Sequence, residues 1–498
     1  MTALDKQPAA PRLLRIWLAM LAGLVPLAVG MAAEDLGRRD LLFAVLGACF
    51  FLVVLWTRRV KEACLIGLVL SLTYNRAYFS FDGVLGDYGS NGLYWIVADI
   101  FLMLMLTQWG YEGAIKKHHP QPLGRPVWPI LLPFVGACML SLLSAKSVPP
   151  GIFELWRLAK AAFLFTWVRH NIRDEEWWWG VGALGAAVLV QSAWGLGQSI
   201  FGFESIFRPE GALAAAAAEV KNTVDSSRAS GTLDHPQIFC SYFLLVVPVF
   251  LSLLVAVSAR GLRLVVGALS LLGLAGIAAT QSRVGWAICG LILAILFVGL
   301  VVLRYLSVAR FVALTSVAVL VLGAGLFFLR EKISARLRED LSANLSVRER
   351  YNGLALDLAS HNPWIGVGLN NFAVDDAEIN KELAGLEITR KPLHLRVSAP
   401  VHNVYLLFLA EAGVIGLGTF LIFGVGALAA GISAVRRTSG LRRAACWGLT
   451  VGLAGVLIHQ ATEFTFWVDP IFYTFFLVLA LLSVAPALDH SPAETEIQ

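Results

Sequence analysis

The chain has 498 residues, of which 58% are hydrophobic and 15% charged, with a formal net charge of +5. A soluble globular chain averages about 45–50% apolar and about 25% charged residues. A water-soluble domain is therefore excluded, and the composition indicates an all-α polytopic membrane protein whose solvent is membrane lipid, with no nucleic-acid partner expected.

Apolar runs near 13–32, 41–57, 61–75, 92–108, 127–145, 152–170, 177–200, 236–258, 263–280, 284–303, 310–329, 401–435, 443–460 and 468–486 are predicted helices. Most approach the roughly 20 residues that cross ~30 Å of hydrocarbon, which predicts about 12–14 transmembrane helices. The first run is long and lacks a small-residue cleavage site, so a retained helix is expected there in place of a signal peptide. Six cysteines, Cys49, Cys64, Cys138, Cys240, Cys289 and Cys446, lie in or beside these runs without CxxC spacing. They are expected to be small packing residues, with neither a zinc site nor a disulfide framework.

Basic clusters set the orientation. Lys6/Arg12/Arg15, Arg58/Arg59/Lys61, Lys116/Lys117/Arg125, Arg169/Arg173, Arg260/Arg263, Arg304/Arg310 and Arg436/Arg437/Arg442/Arg443 all fall on one side when the spans alternate. By the positive-inside rule that side is cytoplasmic, and both termini are expected there. The longest polar stretches, 201–235 and 330–400, then face outward. The organisation expected is a membrane unit over 1–329 with a loop at 201–235, a loop subdomain at 330–400 holding short helices, and C-terminal helices over 401–498. The alanine run in GALAAAAAEVKN (211–222) favours a short helix. The pieces YNGLALDLAS and DDAEINKELAGL carry helical periodicity within the second loop.

Four outward motifs hold groups that hydrocarbon disfavours: SSRASGTLDHPQIFCSYF (226–243), ATQSRVGW (279–286), SVRERYNGLALDLASHNPWIGVGLNNF (346–372) and APVHNVYLLFLAEAG (399–413). Arg283 sits in a tight turn on the outward face, against the positive-inside bias, where a charge is costly. Snorkelling or a structural ion pair is its alternative reading, and a solvated surface role is that of Arg228. Arg228, Arg283, Arg348 and Arg350 share one face beside helix ends, and guanidinium forks match phosphate oxygens bidentately. A lipid-linked pyrophosphate would place its charge at this depth. His402 can take a proton near neutral pH, as a base acting on a hydroxyl must. An interfacial packing role is the alternative for His402, as for His235, His361, His394 and His459. Asn403 can orient His402 or satisfy the helix start. Glu411, nine residues on and about 13 Å deeper along a regular helix, is expected to be a structural partner. GVGLNN (366–371) lacks the Gly-Lys-Ser/Thr and the strand of a phosphate loop, so a loop-closing turn is expected. The acidic cluster Glu34, Asp35 and Asp40 is adjoined by Arg38 and Arg39, which oppose a dication. No metal or other cofactor is expected.

Together SRASGTLDHPQIFCSYFLL, TQSRVGW, RERYNGLALDLASHNPWIGVGLNNF and VHNVYLLFLAEAGVIGLG resemble the O-antigen ligase and O-antigen polymerase superfamily of bacterial membrane glycosyltransferases. The likeness covers about residues 226–420, and His235-Pro236-Gln237 departs from the Asn-Pro-Asn of many members. The resemblance implies a GT-C-like fold with a large helical periplasmic loop in the Gram-negative inner membrane. It also implies a metal-independent transfer of glycan from undecaprenyl pyrophosphate-linked O-antigen to a hydroxyl of lipid A–core oligosaccharide. It maps essential arginines to Arg228 and Arg283, an essential histidine to His402 and secondary basic positions to Arg348 or Arg350; Asn403 and His361 are expected to support the site. A polymerase or a protein O-oligosaccharyltransferase would use the same donor. A lipid-linked glycan transporter would instead spread its polar groups towards the midplane.

Overall fold

The computed structural model describes residues 59–74, 77–79, 94–117, 119–201, 228–233, 235–310, 312, 342–372 and 401–489. The spans expected at 13–32, 41–57 and 310–329, the acidic cluster 34–40, the alanine-rich 211–222, the 375–386 piece and His394 lie outside those residues.

The apolar runs within them are helices: α1 (Val60–Leu72), α2 (Val97–Ala114), α3 (Trp128–Ser141), α4 (Val148–Asn171), α5 (Asp174–Phe201), α6 (Pro236–Ala256), α7 (Arg260–Ala279), α8 (Arg283–Val302), α9 (Ser342–His361), α10 (Val404–Arg437), α11 (Gly440–His459) and α12 (Asp469–Asp489). The strands described are a short antiparallel pair, β1 (Ala77–Phe79) against β2 (Tyr94–Ile96), with Tyr78 opposite Trp95. Among the described residues seven helices are long and apolar enough to cross a membrane: α5, α6, α7, α8, α10, α11 and α12. The fold is all-α and polytopic. The larger expected number of spans also counted runs outside the described residues and four helices within them: α1, whose 13 residues rise only about 20 Å, α2, α3 with 14 residues, and α4, which carries Glu154, Arg157 and Lys160.

The ion pairs and caps mark two chemically distinct ends. At one end Arg442 of α11 pairs with Asp174 at the start of α5 and Asp489 at the end of α12. There Arg263 caps α6 by donating to the Val257 carbonyl from Nε (2.9 Å) and Nη2 (2.6 Å). The opposite end gathers the starts of α4, α6, α8, α10 and α12, and the four motifs meet there.

Packing around α6 keeps that end rigid. Residues Phe239 to Leu253 of this helix are buried all round, so it forms the centre. Against it α11 comes into backbone contact: a Cβ on Gly452 would collide with the Leu245 carbonyl oxygen. By contrast α7 and α8 leave most of their surface outward, as lipid-facing helices do. The cysteines Cys64, Cys138, Cys240, Cys289 and Cys446 are buried free thiols.

Two charged clusters among the described residues are paired inside the bundle. Arg157 donates to Glu154 Oε2 (2.7 Å), to Asp469 Oδ1 from Nε (2.9 Å) and to the Trp467 carbonyl. Lys160 Nζ reaches Asp99 Oδ1 at 2.8 Å, and Asp99 Oδ2 accepts from Ile96 N at 3.0 Å. These bonds tie α4 to α12 and to α2. Removing one partner of such a buried pair costs about 3–5 kcal/mol, because the survivor is left uncompensated.

A break in α10 admits the loop that follows α9. Gly413 has φ 65°, ψ −167°, which interrupts the helical hydrogen bonds. The segment 363–368 fills the gap. Val367 N donates to Ala410 O (2.9 Å) and Gly368 N to Glu411 O (2.9 Å), while Val414 N donates to Pro363 O (2.8 Å). A Cβ on Gly413 would collide with the Trp364 carbonyl carbon and oxygen. GVGLNN is thus a docking turn whose amides serve the helix break, and Glu411 Oε1 accepts from Phe372 N at 3.2 Å. Gly413→Ala combines left-handed strain of about 1–3 kcal/mol with that clash. It is expected to lower the thermal midpoint of the purified protein in detergent, and an unchanged midpoint would refute the inserted-loop geometry.

Candidate functional site

Two of the motifs fold onto one another at the α7–α8 turn. Gln281 adopts φ 53° there, reversing the chain within Thr280–Ser282. Ser282 caps α8 by accepting from Gly285 N at 3.1 Å, so Arg283 is the first residue of the helix. The segment before α6 lies along this turn: Ala229 N donates to Ala279 O and Arg228 Nε to Thr280 O, both at 2.9 Å. Ser282 Oγ reaches Gln237 Oε1 at 2.8 Å, and His235 caps α6 by accepting from Gln237 N at 3.2 Å. From the other side, buried amides of α5 hold the same segment. Gln198 Oε1 accepts from Ser230 N (3.0 Å) and Gly231 N (2.8 Å), and Gln191 Oε1 from Thr232 N (3.0 Å). Arg228 and Arg283 therefore rise from adjoining, immobilised backbone, each half-buried. The opening of α8 adds the partial positive charge of a helix N-terminus.

His402 stands at the other side of this end. Asn403 caps α10, its Oδ1 accepting from Tyr405 N (2.9 Å) and Leu406 N (3.2 Å), which fixes His402 immediately before the helix. Val404 N donates to Gln460 O at 3.0 Å, tying that start to the 460–468 segment between α11 and α12. His402 Nδ1 lies 3.3 Å from Glu463 Oε2, and Arg348 Nη2 lies 2.8 Å from Glu463 Oε1. Glu463 is only 1% exposed, whereas His402 retains 25%. Arg348 also donates from Nη1 to Thr462 O at 3.0 Å, fastening α9 to this segment.

These two halves adjoin at the start of α6. His235 is within electrostatic reach of Glu463, Arg228 and His402 together, and Cys240, one turn into α6, senses both Glu463 and Arg228. Among the expected site residues the structure thus brings together Arg228, Arg283, Arg348, His402 and Asn403. It does not bring in His361, which ends α9 exposed and bonded to its own helix at Asp357 O (2.9 Å), some 20 Å along α9 from Arg348. Arg350 is exposed and turned about 200° round α9 from Arg348.

The residue absent from the sequence reading is Glu463. Its signal was present in HQATEFTFW (459–467), where an acid interrupts two apolar runs on the motif side, a placement that demands a partner. Burial raises its proton affinity, but the His402 hydrogen bond and the Arg348 charge outweigh it, and the carboxyl is held below the ordinary range. A depressed folded value means that the ion pair stabilises at pH above the ordinary carboxylate value of about 4.3 and is lost as pH falls through the lowered one. The stability difference between wild type and Arg348→Gln should therefore keep its neutral-pH size down to about pH 5 and shrink only below about pH 4. Thermal melts across pH check this, and a difference already gone at pH 6 would contradict an ionised Glu463.

No match was found among curated proteins. Residues 268–421 match the family described as O-antigen ligase. The matched segment runs from within α7 past the α10 break and contains Arg283, Arg348 and His402, while Arg228 and Glu463 lie on either side of it. This match over the central part of the chain, together with the membrane-length helices, supports a multi-pass membrane glycosyltransferase of the O-antigen ligase or polymerase type.

Proposed function

We propose that the protein is an O-antigen ligase. It moves O-antigen glycan from undecaprenyl pyrophosphate to a sugar hydroxyl of lipid A–core on the periplasmic face of the inner membrane, completing lipopolysaccharide. The observation that carries this reading is the gathering of Arg228, Arg283 and His402 at one end of the bundle, on backbone held from several helices.

In this scheme Arg228 and Arg283 bind the donor pyrophosphate. Their guanidinium groups do not lose charge, and they neutralise the negative charge that grows on the departing phosphate oxygen. His402 accepts the proton of the acceptor hydroxyl. The hydroxyl oxygen forms a bond to the anomeric carbon from the face opposite the pyrophosphate, the carbon–oxygen bond to phosphate breaks, and undecaprenyl pyrophosphate leaves. This single displacement inverts the anomeric configuration. The two arginines supply the charge stabilisation that a metal ion gives other enzymes, so the reaction is metal-independent. His402 retains exposure enough to meet a hydroxyl from the aqueous side, and the arginines lie where a lipid-borne pyrophosphate rests.

Reconstitution with undecaprenyl pyrophosphate glycan and lipid A–core tests the scheme. Arg283→Ala is expected to lower kcat/KM by about 100-fold or more, the scale of losing a charged contact made in the transition state. Arg283→Lys should recover part of it, because charge returns without the bidentate fork. Full activity in Arg283→Ala removes it as a donor ligand. Activity abolished by EDTA and restored by a dication overturns the metal-free step. A ladder of glycan lengths with lipid-linked glycan as acceptor, and no capping of core, would identify a polymerase.

In the same assay His402→Ala should abolish transfer and remove the rise of rate with pH that a base imposes. A near-normal rate with an unaltered pH profile would exclude His402 from the chemistry.

A further inference from the structure

We propose that Glu463 is a positioning residue for His402: one carboxylate oxygen fixes the imidazole while Arg348 of α9 occupies the other, so that docking of α9 and readiness of the histidine are one event. The inference rests on the assignment of His402 as the proton acceptor.

The two oxygens of Glu463 are divided between partners on different elements, Oε2 to His402 Nδ1 at 3.3 Å and Oε1 to Arg348 Nη2 at 2.8 Å. An ionised carboxylate only accepts hydrogen bonds. The ring nitrogen facing it must therefore carry the proton, which leaves Nε2 of the neutral ring as the acceptor for a substrate hydroxyl. A carboxylate that fixes a histidine tautomer in this way need not touch substrate. Without Arg348 the buried charge would have one neutral partner and would be free to turn.

The support behind Glu463 is unusually complete. Gln460 Oε1 accepts from Phe466 N at 2.7 Å, and Gln460 Nε2 donates to Thr465 Oγ1 at 3.0 Å. Ser241 Oγ of α6 bridges Thr465 Oγ1 and His459 Nδ1, both at 2.6 Å. Arg157 of α4 holds the Trp467 carbonyl. The short 460–468 segment is thereby clamped from α4, α6, α10 and α11, which suits an element that holds one side chain in a fixed position. Among the described residues the charged and titratable groups facing Glu463 are Arg348 from α9, His402 before α10, His459 from α11 and, more remotely, His235 before α6 and Cys240 within it.

Two arms test the inference, and the first needs no substrate. The protein has nine histidines, so 15N-histidine labelling of the full chain gives a readable spectrum in which His402→Asn identifies the His402 signals. At a pH where the ring is neutral, wild type should show the Nδ1–H tautomer, and Glu463→Gln should lose it. Arg348→Gln should give a mixture, with Arg348→Lys restoring the wild-type pattern. An Nε2–H ring in wild type, or an unchanged spectrum in Glu463→Gln, overturns the proposal. In the second arm Glu463→Gln should lower kcat about 10- to 100-fold with little change in donor KM, and displace the acid limb of the kcat–pH profile. An unaltered profile in a folded, active variant also overturns it. If the tautomers behave as expected but wild type does not transfer glycan from the lipid-linked donor, the ligase reading fails while the positioning geometry stands. Thermal melts confirm that each variant is folded.

Discussion

Hydrocarbon supplies no hydrogen bonds, so every polar group carried into the bundle must be answered by another one within it. That constraint organises the motif end of the molecule. The break at Gly413 frees carbonyls that water would satisfy in a soluble protein; here the amides of Val367 and Gly368 do so. Because that answer comes from a segment after α9, the loop is obliged to enter the bundle. Its entry brings α9 across α10, where Ala355, Leu358, Val367, Phe372, Val401, Leu407 and Ala410 form a second small core. The position of Arg348 follows from this packing.

The same constraint acts on the 460–468 segment. A reversal between two membrane helices exposes backbone groups at both ends; Gln460 takes up the Phe466 amide and Arg157 the Trp467 carbonyl, while Ser241, Thr465, His459 and Gln460 bond to one another's side chains. Once those bonds are made, the segment has little freedom. A carboxylate placed in it is buried by its surroundings and must find cations, and it finds Arg348 together with His402. Buried ionic contacts of this kind contribute little net stability, since desolvation cancels much of the attraction. Their effect is to select one arrangement over its neighbours. Rigidity here comes from helices in backbone contact, as α6 with α11, and chemistry from the short segments those helices hold.

Apolar runs are long, continuous signals, and the helices of the described residues lie where hydropathy places them, from α5 through α8 and from α10 through α12. Hydropathy could not show the interruption at Gly413, because one glycine does not end an apolar run. Nor could it separate α4 from its neighbours as a helix with an internal ion network, since Arg157 and Lys160 read as isolated charges until Asp469 and Asp99 are seen beside them. At the site, the placement of Arg228, Arg283 and His402 on a common face follows from counting spans. The bonding of Arg228 to the α7–α8 turn joins residues 52 apart, and no local pattern encodes that. Glu463 was legible in kind, as an acid where acids are costly, but its partners lie 61 and 115 residues away. His361 illustrates the converse: a histidine in a well-matched motif, carried out of the site by the length of α9.

A transferase acting on a lipid-borne donor and a water-facing acceptor faces a geometric problem that a soluble enzyme does not. Its anionic ligand arrives from the side, within the plane of the headgroups, whereas the nucleophile arrives from above. Helix starts suit the first task, because their unpaired amides and the cations beside them lie at that depth. The second requires a base on the aqueous side of the same plane, yet a histidine there is hydrated and would sample several rotamers. Anchoring His402 against a carboxylate beneath it, while a cap at Asn403 fixes the backbone, restricts the ring without withdrawing it from water. The carboxylate can be beneath only if it is itself paired, since an isolated one would take up a proton or turn towards solvent. Arg348 meets that need from outside the helical bundle, on the loop helix. On the proposed role of His402, the base is therefore complete only when loop and bundle are assembled.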